Sequence, residues 1–284
     1  MRAVRHSIEG VTPLLLVVIL AGVIATGCWV VSVITHDTSQ VDRMWSIAPP
    51  IYLWVFAGGA GFGDIRLDLM AGLATLWGAR LTYNFARKGG YSGVEDYRWA
   101  VVRKSMNAWQ FQLFNLFFIV IYQNILLVLI ALPGWTALQH RTPFGPLDGV
   151  LAVLFLAALV GETIADQQQW EFHLRKRAAT PDAAAAEGFL REGLFRYARH
   201  PNYFFEISQW WLMFGFGAAA AGSLLQWSFA GAALLTVLFV GSTIMTERIS
   251  ASKYPHYADY QALTSPIVPW PPRRTAGSVI AVRP

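Results

Sequence analysis

The sequence predicts an all-α integral membrane protein of about seven transmembrane helices, with its N-terminus outside and its C-terminus in the cytoplasm. Composition, the spacing of apolar stretches and the placement of positive charge each point there. Of 284 residues, 55% are hydrophobic and only 14% charged, with a mean hydropathy of +0.41. Soluble domains carry about a quarter charged residues. The same deficit argues against a disordered, collagen-like or nucleic-acid-coating chain, despite a net charge of +5. The single cysteine, Cys28, excludes an intramolecular disulfide and a zinc site of paired cysteines.

Helices crossing an apolar core of about 30 Å need some 20 apolar residues. Stretches that could serve run from Val11 to Thr35, Ile47 to Phe62, Leu67 to Phe85, Phe111 to Leu132, Gly149 to Ala165, Phe204 to Ala221 and Leu224 to Met245. The second is short, with Pro49 and Pro50 near its start, so a six-span count is an alternative. Gly58, Gly59, Gly61 and Gly63 predict a turn after it. The segment Ala178 to Ala186 reads as a short loop or helix extension.

Positive charge is retained in cytoplasmic loops. Taken by alternate loops, one side holds Arg2, Arg5, Arg66 and Arg141, and the other holds seventeen of the 22 Lys and Arg residues; Arg80 lies inside the third stretch. The richer side is assigned to the cytoplasm, which places the protein in the cell membrane as a multi-pass chain. Ala25-Thr26-Gly27-Cys28 loosely resembles a lipoprotein cleavage site, but placing Cys28 outside would put both basic loops on the wrong face.

Ionisable groups at membrane depth are costly, so those that remain are functional candidates. They are Arg80, Glu162, Glu206 and Glu247, with Asp68 and Asp166 near span ends. Glu162, Asp166, Gln169 and His173 follow helical spacing and share one stripe. A metal site there is weakly supported, because no two histidines stand at i, i+3 or i+4. The densest polar cluster is Gly193-Leu-Phe-Arg-Tyr-Ala-Arg-His-Pro-Asn-Tyr-Phe-Phe-Glu206. Pro201 suits a first helical turn, His200 a cap, and Arg199, Asn202, Tyr203 and Glu206 then share a face. A helix start beside Arg196, Arg199 and His200 is an anion site of the kind that holds phosphates. The bland alternative is basic side chains reaching for anionic lipid.

Arg199-His200-Pro201-Asn202-Tyr203 with Glu206, followed by two last spans and the tail Tyr254-Pro-His-Tyr-Ala-Asp-Tyr260 running to Pro269-Trp270-Pro271, resembles the C-terminal domain of the steroid 5α-reductase family. Leu76 to Arg80 and Glu95-Asp96-Tyr97-Arg98 look like an uncharacterised bacterial branch of it. The resemblance covers most of the chain from about Asp42. Its core motif is shared with sterol reductases and with the isoprenylcysteine carboxyl methyltransferases.

The resemblance implies one membrane domain over 1–284, with 11–145 on the substrate side and 146–272 on the cofactor side. It implies NADPH as hydride donor to the conjugated double bond of a lipophilic enone, steroid- or isoprenoid-like, with membrane lipids as surroundings and no nucleic-acid partner. Asn202 would hydrogen-bond the cofactor near its nicotinamide, Glu206 would fix that network, and Arg196, Arg199 and His200 would face phosphates. Tyr203, Asp166, Arg175, Tyr257 and Tyr260 would be further cofactor contacts. The family polarises the enone carbonyl with an early glutamate and a tyrosine. The nearest candidates for the catalytic role are Asp42 or Asp68 with Tyr83. An S-adenosylmethionine-dependent methyltransferase is the first alternative; that cofactor has no phosphates, so the basic residues from Arg175 to Arg199 favour NADPH over it. A non-catalytic membrane protein is the second.

Overall fold

The computed structural model describes residues 11–273, apart from residues 94, 179 and 181. Arg2, Arg5, Arg274 and Arg283 of the charge count lie outside the described residues, as does part of the Ala178 to Ala186 segment. Among the described residues the secondary structure is helical, with one isolated β-bridge between Ala198 and Ser265 and no strand.

All seven apolar stretches form helices. They are α1 (Pro13–Thr35), α3 (Ala48–Gly59), α4 (Ile65–Arg87), a continuous helix over Ala108–Gln139, α8 (Pro146–Arg177), α10 (Pro201–Ala221) and α11 (Phe229–Lys253). Four of them, α1, Ala108–Gln139, α8 and α11, are long and apolar enough to cross a membrane. The 12 residues of α3 rise only about 18 Å at 1.5 Å per residue, and α4 and α10 carry too many polar side chains. The lipid-facing character of α1 is explicit: Val18, Val23 and Ile34 are 52%, 64% and 72% exposed, an untenable surface in water.

Local signals set the helix ends. Thr12 caps α1 by accepting the Leu15 N–H at 3.2 Å, and Pro13 occupies a first-turn position where its missing N–H costs nothing. Pro49 and Pro50 do the same for α3. The glycine string after it makes the expected turn, with Gly61 at φ 70°. Short helices α2 (Gln40–Trp45) and α5 (Tyr97–Lys104) lie between the longer ones. The continuous helix is α6 (Ala108–Phe114), a π-helical segment (Asn115–Tyr122) and α7 (Gln123–Gln139).

The chain forms two compact units. The first comprises Met1–Ala157 with Gln209–Thr236, and the second Ala158–Ser208 with Val237–Pro284. Helices α8, α10 and α11 each run through both units.

In the first unit, Trp77 of α4 meets Trp210 of α10 edge to face at 4.8 Å. Gly231 of α11 lies so close to α7 that an added Cβ would stand 2.3 Å from the Leu129 carbonyl oxygen, a small-residue contact of the kind that joins membrane helices. We expect Gly231→Leu to force α11 off α7 and cost several kcal/mol, measured by unfolding in mixed micelles; wild-type stability would refute the close approach. Arg66 is buried at the start of α4 against Asp148, with contacts of 2.7 and 2.8 Å.

The second unit contains the ends of α8, α10 and α11 together with α9 (Ala183–Ala186), a 3₁₀ turn at Gly193–Arg196 and α12 (Tyr257–Leu263). Phe172, Leu190 and Phe195 share one small core with Ala165 and Ala185, and Phe189, Tyr257 and Tyr260 form another.

Candidate functional site

The polar cluster at the start of α10 is built by backbone pairing. Residues 197–200 run beside the tail: Arg199 N–H donates to Ser265 O at 2.8 Å, His200 N–H to Pro266 O at 3.0 Å, and Trp270 N–H to Tyr197 O at 2.9 Å. Pro201 then opens α10, and the His200 carbonyl accepts from Tyr203 and Phe204.

This pairing aims Arg199 inward. Its Nε and Nη2 grip the two carboxylate oxygens of Glu247 at 2.6 and 2.9 Å. Its Nη1 donates to the carbonyls of Gln261, at 2.9 Å, and of Thr264. Gln261 Nε2 adds a third donor to Glu247 at 2.8 Å, and His200 Nε2 lies 3.3 Å from the same carboxylate. The Arg199 and Glu247 side chains are 8% and 9% exposed. A bidentate pair of this kind is both strong and directional. Arg199 therefore ties α10, α11 and α12 together, with these four donations directed into the protein. Glu247 is the residue whose role the sequence did not show: it stood out as an ionisable group at membrane depth, but its partner lies 48 positions away.

Beside this lock, Asn202 is half-buried on the first turn of α10, and among the described residues its carboxamide has no hydrogen-bond partner. Glu206, one turn on, is buried, as are Glu162 and Asp166 on α8. Phe205 packs on Gly161 of α8, which sets these carboxylates on adjoining helices. Tyr203 stacks on the His200 ring at 5.0 Å and meets Phe239 of α11 edge to face at 4.6 Å. A cavity of about 430 Å³ opens where the tail passes Arg199, lined also by Gln261, Thr264, Ser265, Trp270 and Arg273.

The remaining cofactor candidates separate into bound and free. Arg175 faces Asp182 and Glu192 at 3.3 and 3.4 Å, and Lys176 donates to Gly188 O and to Tyr254 Oη, both at 2.7 Å. Burial pushes the Tyr254 phenol up, but the Lys176 ammonium, with help from Lys253, outweighs it and holds the phenol below its ordinary pKa. Arg191 pairs with Glu187. Arg196 is exposed, over the Tyr197 ring at 6.0 Å. Tyr257 and Tyr260 are buried around Phe189; the Tyr260 hydroxyl donates to Phe195 O, and burial raises its pKa. Both tyrosines thus sit in the small core around Phe189.

In the first unit, Tyr83 is 67% exposed, with Arg87 5.5 Å from its ring. Asp68 lies fifteen residues earlier in α4, about 22 Å along the axis, so the two do not meet. Asp42 is at the Tyr83 end, because Ser46, one turn beyond it, shares a 2.7 Å hydrogen bond with Thr82. Asp42 accepts from Trp99 Nε1 at 3.2 Å. Burial, reinforced by Asp96, raises its carboxyl pKa, partly offset by Arg98 and by the Trp99 and Ser39 hydrogen bonds. A raised folded-state pKa contributes stability below the unfolded pKa that is lost as pH rises through the folded value. Asp42→Asn is therefore expected to match or exceed wild-type stability at pH 7 and to lose that advantage toward pH 4, read from chemical unfolding at both pH values; a large loss at pH 7 would show that the charge is needed. Nearby Glu95 has the opposite sign. Burial raises it, but Arg103 and Thr38 outweigh this and lower its pKa, so its contribution is present above the unfolded value and lost as pH falls below it.

A further polar group lies inside the first unit. Tyr52 Oη, Asn115 Oδ1 and Asn124 Oδ1 are buried without a hydrogen-bond partner among the described residues. Asn115 and Asn124 flank the π-helical segment, where Asn115 Nδ2 reaches Ser32 Oγ at 2.9 Å and Asn124 Nδ2 the Val120 carbonyl at 2.8 Å. π-Segments frequently mark functional positions. The signal in the sequence was two asparagines in or beside an apolar run.

Residues 28–264 match a family described as a protein of unknown function, DUF1295. The chain belongs to the DUF1295 family. It is 40% identical over 266 residues, 88% of this chain and 77% of the other, to a protein of Schizosaccharomyces pombe named "Uncharacterized protein C594.04c". No solved structure matches. The DUF1295 region contains the whole Arg199 lock, from Arg199 through Glu247 and Gln261, and ends at Thr264, the last of its carbonyl partners.

Proposed function

We propose that this DUF1295 protein is a membrane oxidoreductase that uses NADPH to reduce a carbon–carbon double bond conjugated to a carbonyl in a lipophilic molecule. The seven helices then all enter the membrane, N-terminus outside, with α4 and α10 shielded by their neighbours and α3, at about 18 Å, too short to cross it alone. The observation that carries the reading is the half-buried Asn202 carboxamide, without a hydrogen-bond partner among the described residues, on the first turn of α10 beside the Arg199–Glu247 lock. A carboxamide offers both donor and acceptor, which suits an amide-bearing ligand such as nicotinamide. The motif resembling the steroid 5α-reductase family occupies that turn. NADPH supplies the hydride; the protein orients it, excludes water and stabilises negative charge on the carbonyl oxygen. Arg199 serves this site by positioning α10 rather than by facing phosphate. Arg196 and Arg177, both exposed, remain for anionic groups.

A second reading has one observation in its favour. Arg175, Lys176, Arg191 and Arg199 all have protein partners, which removes much of the positive charge that distinguished NADPH from phosphate-free S-adenosylmethionine. A membrane methyltransferase fits the smaller charge. Purified protein with NADPH, NADH or S-adenosylmethionine separates the two, because a ligand that binds only the folded state raises its melting temperature. We expect NADPH alone to stabilise, and Asn202→Ala to lose that shift with little change in the unliganded melting temperature. Stabilisation by S-adenosylmethionine alone would establish methyl transfer, and silence from all three would refute both.

A further inference from the structure

The tail after α12 is an irregular segment that bridges residue 198 at Ser265 and exposes several apolar side chains. From Ser265 to Trp270 exposure alternates: Pro266, Val268 and Trp270 are exposed while Ser265, Ile267 and Pro269 are partly covered. Val268 is 57% and Trp270 68% exposed. The segment is held rigidly, by the backbone bonds to residues 197–200 and by Arg273 N–H donating to Leu263 O at 2.9 Å, and by four prolines that restrict its φ angles. The Trp270 N–H bond to Tyr197 brings a second exposed aromatic ring alongside, Tyr197 being 43% exposed. Exposed Arg196 and Arg273 flank the pair.

A fixed apolar strip exposed to water is a liability, whereas tryptophan, tyrosine and arginine together are the side chains favoured where headgroups meet acyl chains. The strip lies beside the first turn of α10 and, through Arg199 and Glu247, beside the last turns of α11. On α11, Val237, Val240 and Ile244 are exposed at 65%, 43% and 48%, so the lipid-facing surface of that candidate span leads toward the strip. We propose that the Pro266–Val268–Trp270 strip is an interfacial membrane anchor, seated in the headgroup region with Arg273 on anionic lipid phosphates.

The single native cysteine is buried, so Cys28→Ser gives a background for site-directed spin labels. Val268→Cys and, as a second position on the same face, Pro266→Cys would be labelled in protein reconstituted into vesicles of phosphatidylcholine and phosphatidylglycerol. Asp259→Cys on α12, whose native side chain is 80% exposed, serves as the aqueous reference. Collision with apolar oxygen and with a water-soluble nickel chelate is then measured. We expect the oxygen-to-nickel ratio at positions 268 and 266 to exceed that at 259 several-fold. A ratio equal to that at 259 would overturn the proposal by placing the strip in water. Shielding from both reagents would overturn it in favour of a covering protein surface, such as a second copy of the chain.

Discussion

Glu247→Ala is expected to destabilise the protein by about 3–5 kcal/mol, the cost of leaving a buried charge without its partner. Arg199 cannot shed its proton, and with the carboxylate removed its Nε and Nη2 lose their acceptors while the side chain stays 8% exposed. Glu247→Gln retains one acceptor for Arg199 and is expected to cost less. Arg199→Lys is expected to cost nearly as much as Arg199→Ala, because one ammonium cannot reach both carboxylate oxygens and the Gln261 and Thr264 carbonyls. The double replacement Arg199→Met with Glu247→Leu removes both charges and is expected to recover much of the loss, a coupling that a double-mutant cycle in mixed micelles would measure. Additive single effects would show that the pair does not act as a unit. A loss below about 1 kcal/mol for each, the range of solvated pairs, would show that water reaches it.

The same reasoning applied to Arg66 predicts a loss of similar size, again about 3–5 kcal/mol for Arg66→Ala or Asp148→Ala. Arg66 is fully engaged: Nε and Nη2 meet Asp148, Nη1 reaches the Thr142 carbonyl and hydroxyl at 3.0 and 2.9 Å, and Nη2 adds Pro143 O at 3.1 Å. Asp148 in turn accepts from the Gly145 N–H at 2.8 Å, so one ion pair organises the whole connection between α7 and α8. This pair shares no partner with the Arg199 lock. Combining Arg66→Ala with Glu247→Ala should therefore give the sum of the separate losses, and a large departure would show that the two regions are coupled.

The positions of the seven apolar helices were legible because apolarity over a long run of residues is a property of the chain itself. So were the turn after α3, from its glycines, and the start of α10, from Pro201, since both reflect backbone sterics of single residues. The destination of each charge was not. From the sequence Arg199, beside a helix start, reads as an anion binder, yet a carboxylate 48 residues later and two carbonyls more than 60 residues later take its hydrogen bonds. Tyr257 and Tyr260 read as ligand contacts and are packed around Phe189. Asp68 and Tyr83 read as a pair, but fifteen residues of one helix separate them. Sequence by itself determined a helical membrane chain and the polar motif that opens α10, because these depend on short-range periodicity and local sterics. Only the tertiary structure decided which polar groups are consumed in holding the fold and which, like Asn202, have no hydrogen-bond partner among the described residues, because pairing across helices depends on distances that the order of residues does not contain.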